Sequence, residues 1–359
     1  MFIVTNRDVK PSASGLKQLG LKPNSEGPNE LRLVEAEKVG GKWAIKILPN
    51  VLTASMRKAV GLANTSEVKY ASEYVARVIN ERIQKQQKNL LFFVHGYNND
   101  VEAVLDRAQM LEELYGVEVL SFSWPANGGG AAGVASYKSD KRDARASVGA
   151  LDRCLGRMEE LFRNLIGERN KALAVKVDEK IKAGVNSERR DALLIELQEK
   201  TCPFTVNMIA HSMGNYLYEH TLLSVSSYAN LLLFDNVILV AADTNNLDHP
   251  KWVDRIPCRK SVYITINEND QVLRIARAKI GDDQLPRLGH YRHNLEAKQA
   301  VYVDFTNATG VGGSHAYFEG ETVADMASAP YRFFYKTLNG QSAHDDLTFD
   351  SGTKAYRLK

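Results

Sequence analysis

The chain has 359 residues, about 44% of them apolar, enough to bury a full core as one large domain or two smaller ones. Its 46 basic and 43 acidic side chains leave a formal net charge of only +3, so no global field favours nucleic acid or an acidic membrane as a partner. Three widely separated cysteines, Cys154, Cys202 and Cys258, lack metal-ligand spacing and read as reduced packing residues of a cytoplasmic protein.

The first residues, MFIVTNRDVK, have a four-residue apolar start without a basic segment before a long apolar run, so no secretory leader is expected. LRLVEAEK and KWAIKIL alternate apolar and polar residues, the pattern of antiparallel edge strands with one solvated face. SEVKYASEYVARVINERIQKQ reads as a helix begun by Ser66. Six short runs then appear: Asn89–Val94, Val117–Phe122, Thr205–Ala210, Asn236–Ala241, Ser261–Ile266 and Ala300–Phe305. They are apolar at nearly every position and alternate with longer amphipathic segments, which predicts a mostly parallel sheet covered on both faces by helices. VEAVLDRAQMLEELYG is such a helix, ended by Gly116.

Two segments stand apart. Pro125–Asp140 is rich in glycine and alanine and is expected to be a loop over one end of the sheet; no Gly-Lys-Ser/Thr follows it, so a phosphate loop is not expected. Ile166–Lys200 is charged and helical, and reads as a solvated insertion, with a lid or a partner-binding arm as the sharper reading. The chain is read as one domain over 1–359, with 1–88 supplying N-terminal strands and a helix. LLLFDNVILVAA is interrupted by Asp235 and Asn236, so no transmembrane segment is expected.

The run Thr205–Ala210 stops at His211-Ser212-Met213-Gly214, and a helical pattern begins at once. A strand turning sharply into a helix with serine at its apex is a nucleophile elbow, in which crowding demands small residues two positions either side. Ala210 and Gly214 meet that demand, with alanine where glycine is usual. Serine needs a base, and the base needs a carboxylate to hold its tautomer. The elbow predicts the order serine, acid, histidine, each just past a strand. Asp270 follows Ser261–Ile266, and His315 follows Ala300–Phe305 in a glycine-rich loop. Asp243, just past Asn236–Ala241, is the rival acid. His211 is expected to support the site, because a neighbour at an elbow points away from the nucleophile. His290 and His293 precede the last of these strands, and His249 reads as a loop residue.

Acyl transfer also needs donors for a negative oxygen. The N–H of Met213, directly after Ser212, supplies one. The second is expected from the loop after Asn89–Val94, where His95-Gly96 leads to the N–H of Tyr97. Trp124, Tyr137 and Tyr97 are expected to line the entrance. No His/Cys/Asp/Glu set has metal spacing, so neither metal nor other cofactor is expected.

FFVHGYNND, VLSFSWPANG, YKSDKRDAR, MIAHSMGNYL, VILVAADTNN, VYITINENDQVL and SHAYF together resemble a bacterial alpha/beta-hydrolase family with an esterase/lipase relationship, the domain-of-unknown-function 900 type. The resemblance runs from about Leu90 to Tyr335, and Thr5–Arg7 looks like the family's N-terminal strand. It implies an eight-stranded sheet with Ser212 as nucleophile, His315 as base and Asp270 as acid. Ala210 and the insertion depart from it. The function expected is hydrolysis of a small-molecule or lipid ester through an acyl-enzyme. An amidase, thioesterase or phospholipase would use the same residues. The reading from a different class is a partner-regulated or silent binding module with the charged insertion as its docking arm.

Overall fold

The computed structural model describes residues 1–127, 136–184, 186–200, 204–224, 228–278 and 285–359. In chain order, strand β1 (Phe2–Thr5) leads to a separate hairpin of β2 (Arg7–Val9) and β3 (Leu19–Pro23), then to the antiparallel pair β4 (Arg32–Val39) and β5 (Lys42–Ile47). Helix α1 (Ala54–Ala59) is capped by the Thr53 hydroxyl, which accepts from the Met56 N–H. The helix expected from Ser66 begins later, as α2 (Ala71–Gln86). Tyr70 pairs with Val51 as an isolated antiparallel bridge, which holds the backbone extended up to that point.

The alternation then follows as expected: β6 (Leu90–Val94), α3 (Val101–Tyr115) and β7 (Glu118–Ser123), with Gly116 ending α3 at φ 64°. Next come α4 (Tyr137–Ala146), α5 (Val148–Lys182), α6 (Arg190–Lys200) and β8 (Val206–His211). Beyond them lie α7 (Met213–Leu222), β9 (Phe234–Val240), α8 (Pro250–Val253), β10 (Cys258–Ile266) and α9 (Gln271–Ala278). The chain closes with β11 (Ala300–Asp304), α10 (Ala329–Leu338), β12 (Leu347–Asp350) and β13 (Ala355–Leu358).

Among the described residues, eleven strands form one sheet in the order β12-β13-β11-β10-β9-β8-β6-β7-β1-β4-β5. The run from β13 to β1 is parallel throughout and accounts for the expected eight strands. Antiparallel strands extend it at both ends. The doubly apolar runs explain the layering. Leu90, Phe92 and Val94 point into the core under α2, α5 and α7, while Leu91 and Phe93 point into the opposite core under α3 and α10. The central strands are thus buried on both faces, which leaves their carboxyl ends as the natural place for a site.

Two expectations about segments are corrected. Residues 128–135 lie outside the described residues, but Tyr137–Asp140 already belongs to α4 and is not loop. The charged segment Ile166–Lys200 is helical as expected, but its first part continues an unbroken helix. That part is the outer half of α5, whose inner half packs into the core through Leu151, Leu155 and Met158. Farther out only Leu173 and Val177 are buried, and α6 packs back on this outer half, with Gln198 reaching Asn170 at 3.5 Å. Among the described residues, no helix is long and apolar enough to cross a membrane.

Candidate active site

Ser212 sits between β8 and α7 with φ 53° and ψ −123°, a conformation that costs a non-glycine residue about 1–3 kcal/mol and persists only when its surroundings enforce it. They do so here. The Ser212 N–H donates to Val240 O (3.0 Å), and the Asp243 N–H donates to Ser212 O (3.2 Å). The buried Asn215 amide donates to Ala210 O (2.9 Å), Ser212 O (3.1 Å) and Val240 O (3.2 Å), closing the turn from inside. A Cβ on Gly214 would come within 2.6 Å of Val94 O, and one on Gly96 within 2.7 Å of Ser212 Cβ. Both glycines are therefore set by close backbone approach. Ala210 is fully buried beneath the turn, so its methyl group is accommodated where glycine is usual.

Asp270 and His315 are brought together. The fully buried Asp270 carboxylate accepts the Val272 and Leu273 N–H groups at 2.9 and 3.0 Å on Oδ1, and His315 Nδ1 lies 2.7 Å from Oδ2. That contact assigns the proton to Nδ1 and leaves the Nε2 lone pair available. His315 Nε2 and Ser212 Oγ are both buried, and neither has a hydrogen-bond partner among the described residues. Asn267 holds the histidine loop, donating to Gly312 O and Ser314 O at 3.0 Å each.

His211 packs against the loop that carries His315. Its Nε2–H donates to the His315 carbonyl (3.1 Å), and its ring lies 4.8 Å from the His315 ring. Burial first, then the nearby His315, hold it well below the ordinary histidine range, so it stays a neutral donor. Asp243 is bonded elsewhere than to His315. It accepts from the Tyr137 hydroxyl at 2.9 Å, and Arg287 Nε lies 3.1 Å from its other oxygen, an ion pair off the hydrogen-bond axis. Burial raises its carboxyl despite Arg287. His249 is engaged with Asn246 O and Tyr302, and His293 lies against Tyr291.

Gly96 brings its loop against Ser212, and Tyr97 meets Tyr137 edge-on at 5.5 Å. Trp124 departs from its expected place. It is fully buried, stacked on His95 at 5.1 Å, and donates to His95 O at 2.8 Å, so it supports the loop and does not line an entrance. His95 donates from Nδ1 to Gly96 O (2.7 Å), and burial, reinforced by Arg7, pushes its pKa down to about 3. Asn99, Asn215 and Asn267 belong to no motif that singles them out in the sequence. Each ties backbone carbonyls, and the only sequence signal for them is a place one to five residues from a recognised position.

A cavity of about 880 Å³ opens between α2 and α5, lined by Leu33, Leu48, Val75, Ile79 and Met158 among others, and shares no residue with this cluster. Among the described residues, no group of histidine, cysteine or acidic side chains is arranged to hold a metal. A family model described as alpha/beta hydrolase of unknown function (DUF900) matches residues 71–163 and 169–322, well over half of the chain. The chain belongs to that family. The DUF900 match contains Ser212, Asp270 and His315 and runs through most of the α5–α6 arm, while Thr5–Arg7 lies before it. Comparison with curated proteins and with solved structures gives no match.

Proposed function

We propose that this alpha/beta hydrolase cleaves a carboxylic ester through an acyl-enzyme, with Ser212 as nucleophile, His315 as base and Asp270 as the acid that orients it. As Ser212 Oγ attacks the ester carbon, its proton passes to His315 Nε2 and the carbonyl electron pair moves onto oxygen. That oxyanion accepts from the N–H groups of Met213 and Tyr97, a pair of donors of which each is worth about 3–4 kcal/mol. Collapse of the intermediate expels the alcohol, which takes the proton from His315. Water, activated by the same imidazole, then releases the acid and restores Ser212.

The observation that carries this reading is the strained serine turn beside a 2.7 Å Asp270–His315 contact, with Ser212 Oγ and His315 Nε2 both buried and unpartnered. Two buried polar atoms without partners cost stability unless a substrate uses them. Unliganded sites commonly tighten the serine–histidine contact only when substrate binds. The substrate is read as a small-molecule or lipid ester. The buried thiol of Cys154, raised to about 12 by burial, is inert and fits a cytoplasmic setting.

A fluorophosphonate probe is expected to label the native protein and not Ser212→Ala. A panel of p-nitrophenyl esters, run beside an amide, a thioester and a phospholipid, is expected to show Ser212-dependent turnover of the esters first. Absence of labelling and of turnover from the native protein would remove the hydrolase reading and leave a binding module on this fold.

A further inference from the structure

Thr5, Asn6 and Arg7 are all fully buried, and neither the nucleophile nor its base touches them. Thr5 Oγ1 donates to Ser123 O at the end of β7 (2.6 Å), and Asn6 Nδ2 donates to Ser147 Oγ where α4 meets α5 (2.9 Å). Arg7 uses its whole guanidinium: Nε to Ser123 Oγ (3.0 Å), Nη1 to Gly20 O and Ala126 O (3.3 Å each), Nη2 to Asn99 O (2.9 Å). All four acceptors are neutral. Burial lowers its pKa to about 10, with Asp100 and Asp140 opposing, so it keeps its charge at neutral pH. A buried cation satisfied only by neutral oxygens is an expensive arrangement for packing alone.

The contacts converge on one peptide. Asn99, held by Arg7 through its carbonyl, turns its side-chain amide onto Gly96 O (3.2 Å) and Tyr97 O (2.7 Å). Its Oδ1 accepts from Arg107 (3.0 Å), which is paired through two hydrogen bonds with Glu319, four residues past His315. Gly96 O thus receives Asn99 and His95 together. In a planar trans peptide the N–H points opposite to the C=O, so fastening Gly96 O on this side fixes the direction of the Tyr97 N–H. The Gly96 backbone faces Ser212.

We propose that Arg7 is a positioning residue for the site: through Asn99 it locks the His95–Asn99 loop in the one orientation that aims the Tyr97 N–H at the oxygen bound above Ser212. The catalytic part of this inference rests on the ester-hydrolase reading; the conformational part does not. Lysine at this position keeps the charge but cannot span Ser123, Ala126 and Asn99 at once. The test therefore compares native protein, Arg7→Lys and Arg7→Met, each prepared both with Ser212 and with Ser212→Ala.

Amide hydrogen exchange at Tyr97–Asn99 is expected to quicken at least tenfold in Arg7→Lys while strands β8 to β10 keep native protection. With Ser212 present, kcat for a p-nitrophenyl ester is expected to fall roughly 10- to 100-fold in both Arg7 variants relative to native protein, with KM within about twofold. Unchanged loop exchange in both Arg7 variants would overturn the proposal, as would exchange that quickens uniformly over the sheet, or a loss confined to KM. If the native protein has no Ser212-dependent turnover, the ester reading fails, and the exchange comparison still decides whether Arg7 holds the loop.

Discussion

The rim around Ser212 and the outer half of α5 with α6 are built on opposite terms. At the rim, Ser212, Asn215, Asp243, Asp270 and His315 interlock through buried hydrogen bonds from β8, β9 and β10, so each group is held by residues distant in sequence. In the arm, charged side chains pair at the surface, as Arg190 does with Asp178 at 3.0 Å within the hairpin and Glu168 with Arg77 of α2 at 2.7 Å, and most of the surface is solvated. Orientation is over-determined in the first region and left open in the second, which is the distinction between a site and a surface.

The largest expected break falls on the rim. Asp270→Asn should lower kcat roughly 10³- to 10⁴-fold with the fold intact, because the amide no longer holds the proton on His315 Nδ1. Asp243→Asn, which disturbs Tyr137 and Arg287 instead, should cost less than about tenfold. Steady-state kinetics on both variants checks this, and the reverse ranking would exchange the two acids. Next comes Gly214→Ala. With backbone oxygens of Val94 and His95 at 2.6 and 2.8 Å from the new methyl, it should destabilise the protein by about 2–4 kcal/mol in urea unfolding.

A smaller effect probes the seam between α4 and α7. Glu219 is raised to about 7 by burial, against the pull of Lys141, Arg145 and Arg287. The folded chain keeps a proton there that the unfolded chain releases, so this stability is complete below pH 4.5, the ordinary value for glutamate, and is lost as pH rises toward 7. Glu219→Gln should flatten that window and gain on the order of 2 kcal/mol over the native protein at pH 8, read from unfolding midpoints across pH. The smallest effect belongs to the arm. Joining Asn170 to Gln198 through a Gly-Ser pair should leave kcat/KM within about twofold and shift Tm by only a few degrees. A rise in activity would instead mark the arm as a cover.

The same contrast explains what could be read in the sequence. All six apolar runs form neighbouring strands, because burial on both faces writes itself as uninterrupted hydrophobicity. Ser212, Asp270 and His315 stand out in the sequence because each lies in the connection after such a run, Ser212 two residues past Ala210, Asp270 four past Ile266 and His315 ten past Phe305. The contact between Asp270 and His315 was inferable from order alone, whereas the role of Trp124 was not, since an aromatic residue past a strand looks alike whether it faces a cleft or stacks beneath a loop. The C-terminal hairpin β12–β13 carries only four residues per strand and little apolar character, too weak a signal to extend the sheet. Arg7 is the instructive case. Thr5–Arg7 resembles a strand of the family, but only long-range contacts with Asn99 and Ser123 disclose that its arginine is buried.

The pairing of β1 with β7 sets Phe2 opposite Leu120, more than a hundred residues later. Strand β1 must therefore wait for β7 before it has a parallel neighbour, and closing so wide a loop is slow. Arg7 enters the molecule with it, and β8, which carries Ser212, closes a loop of similar width on β6, where Leu90 lies opposite Val206, so the rim should reach working order only after both closures.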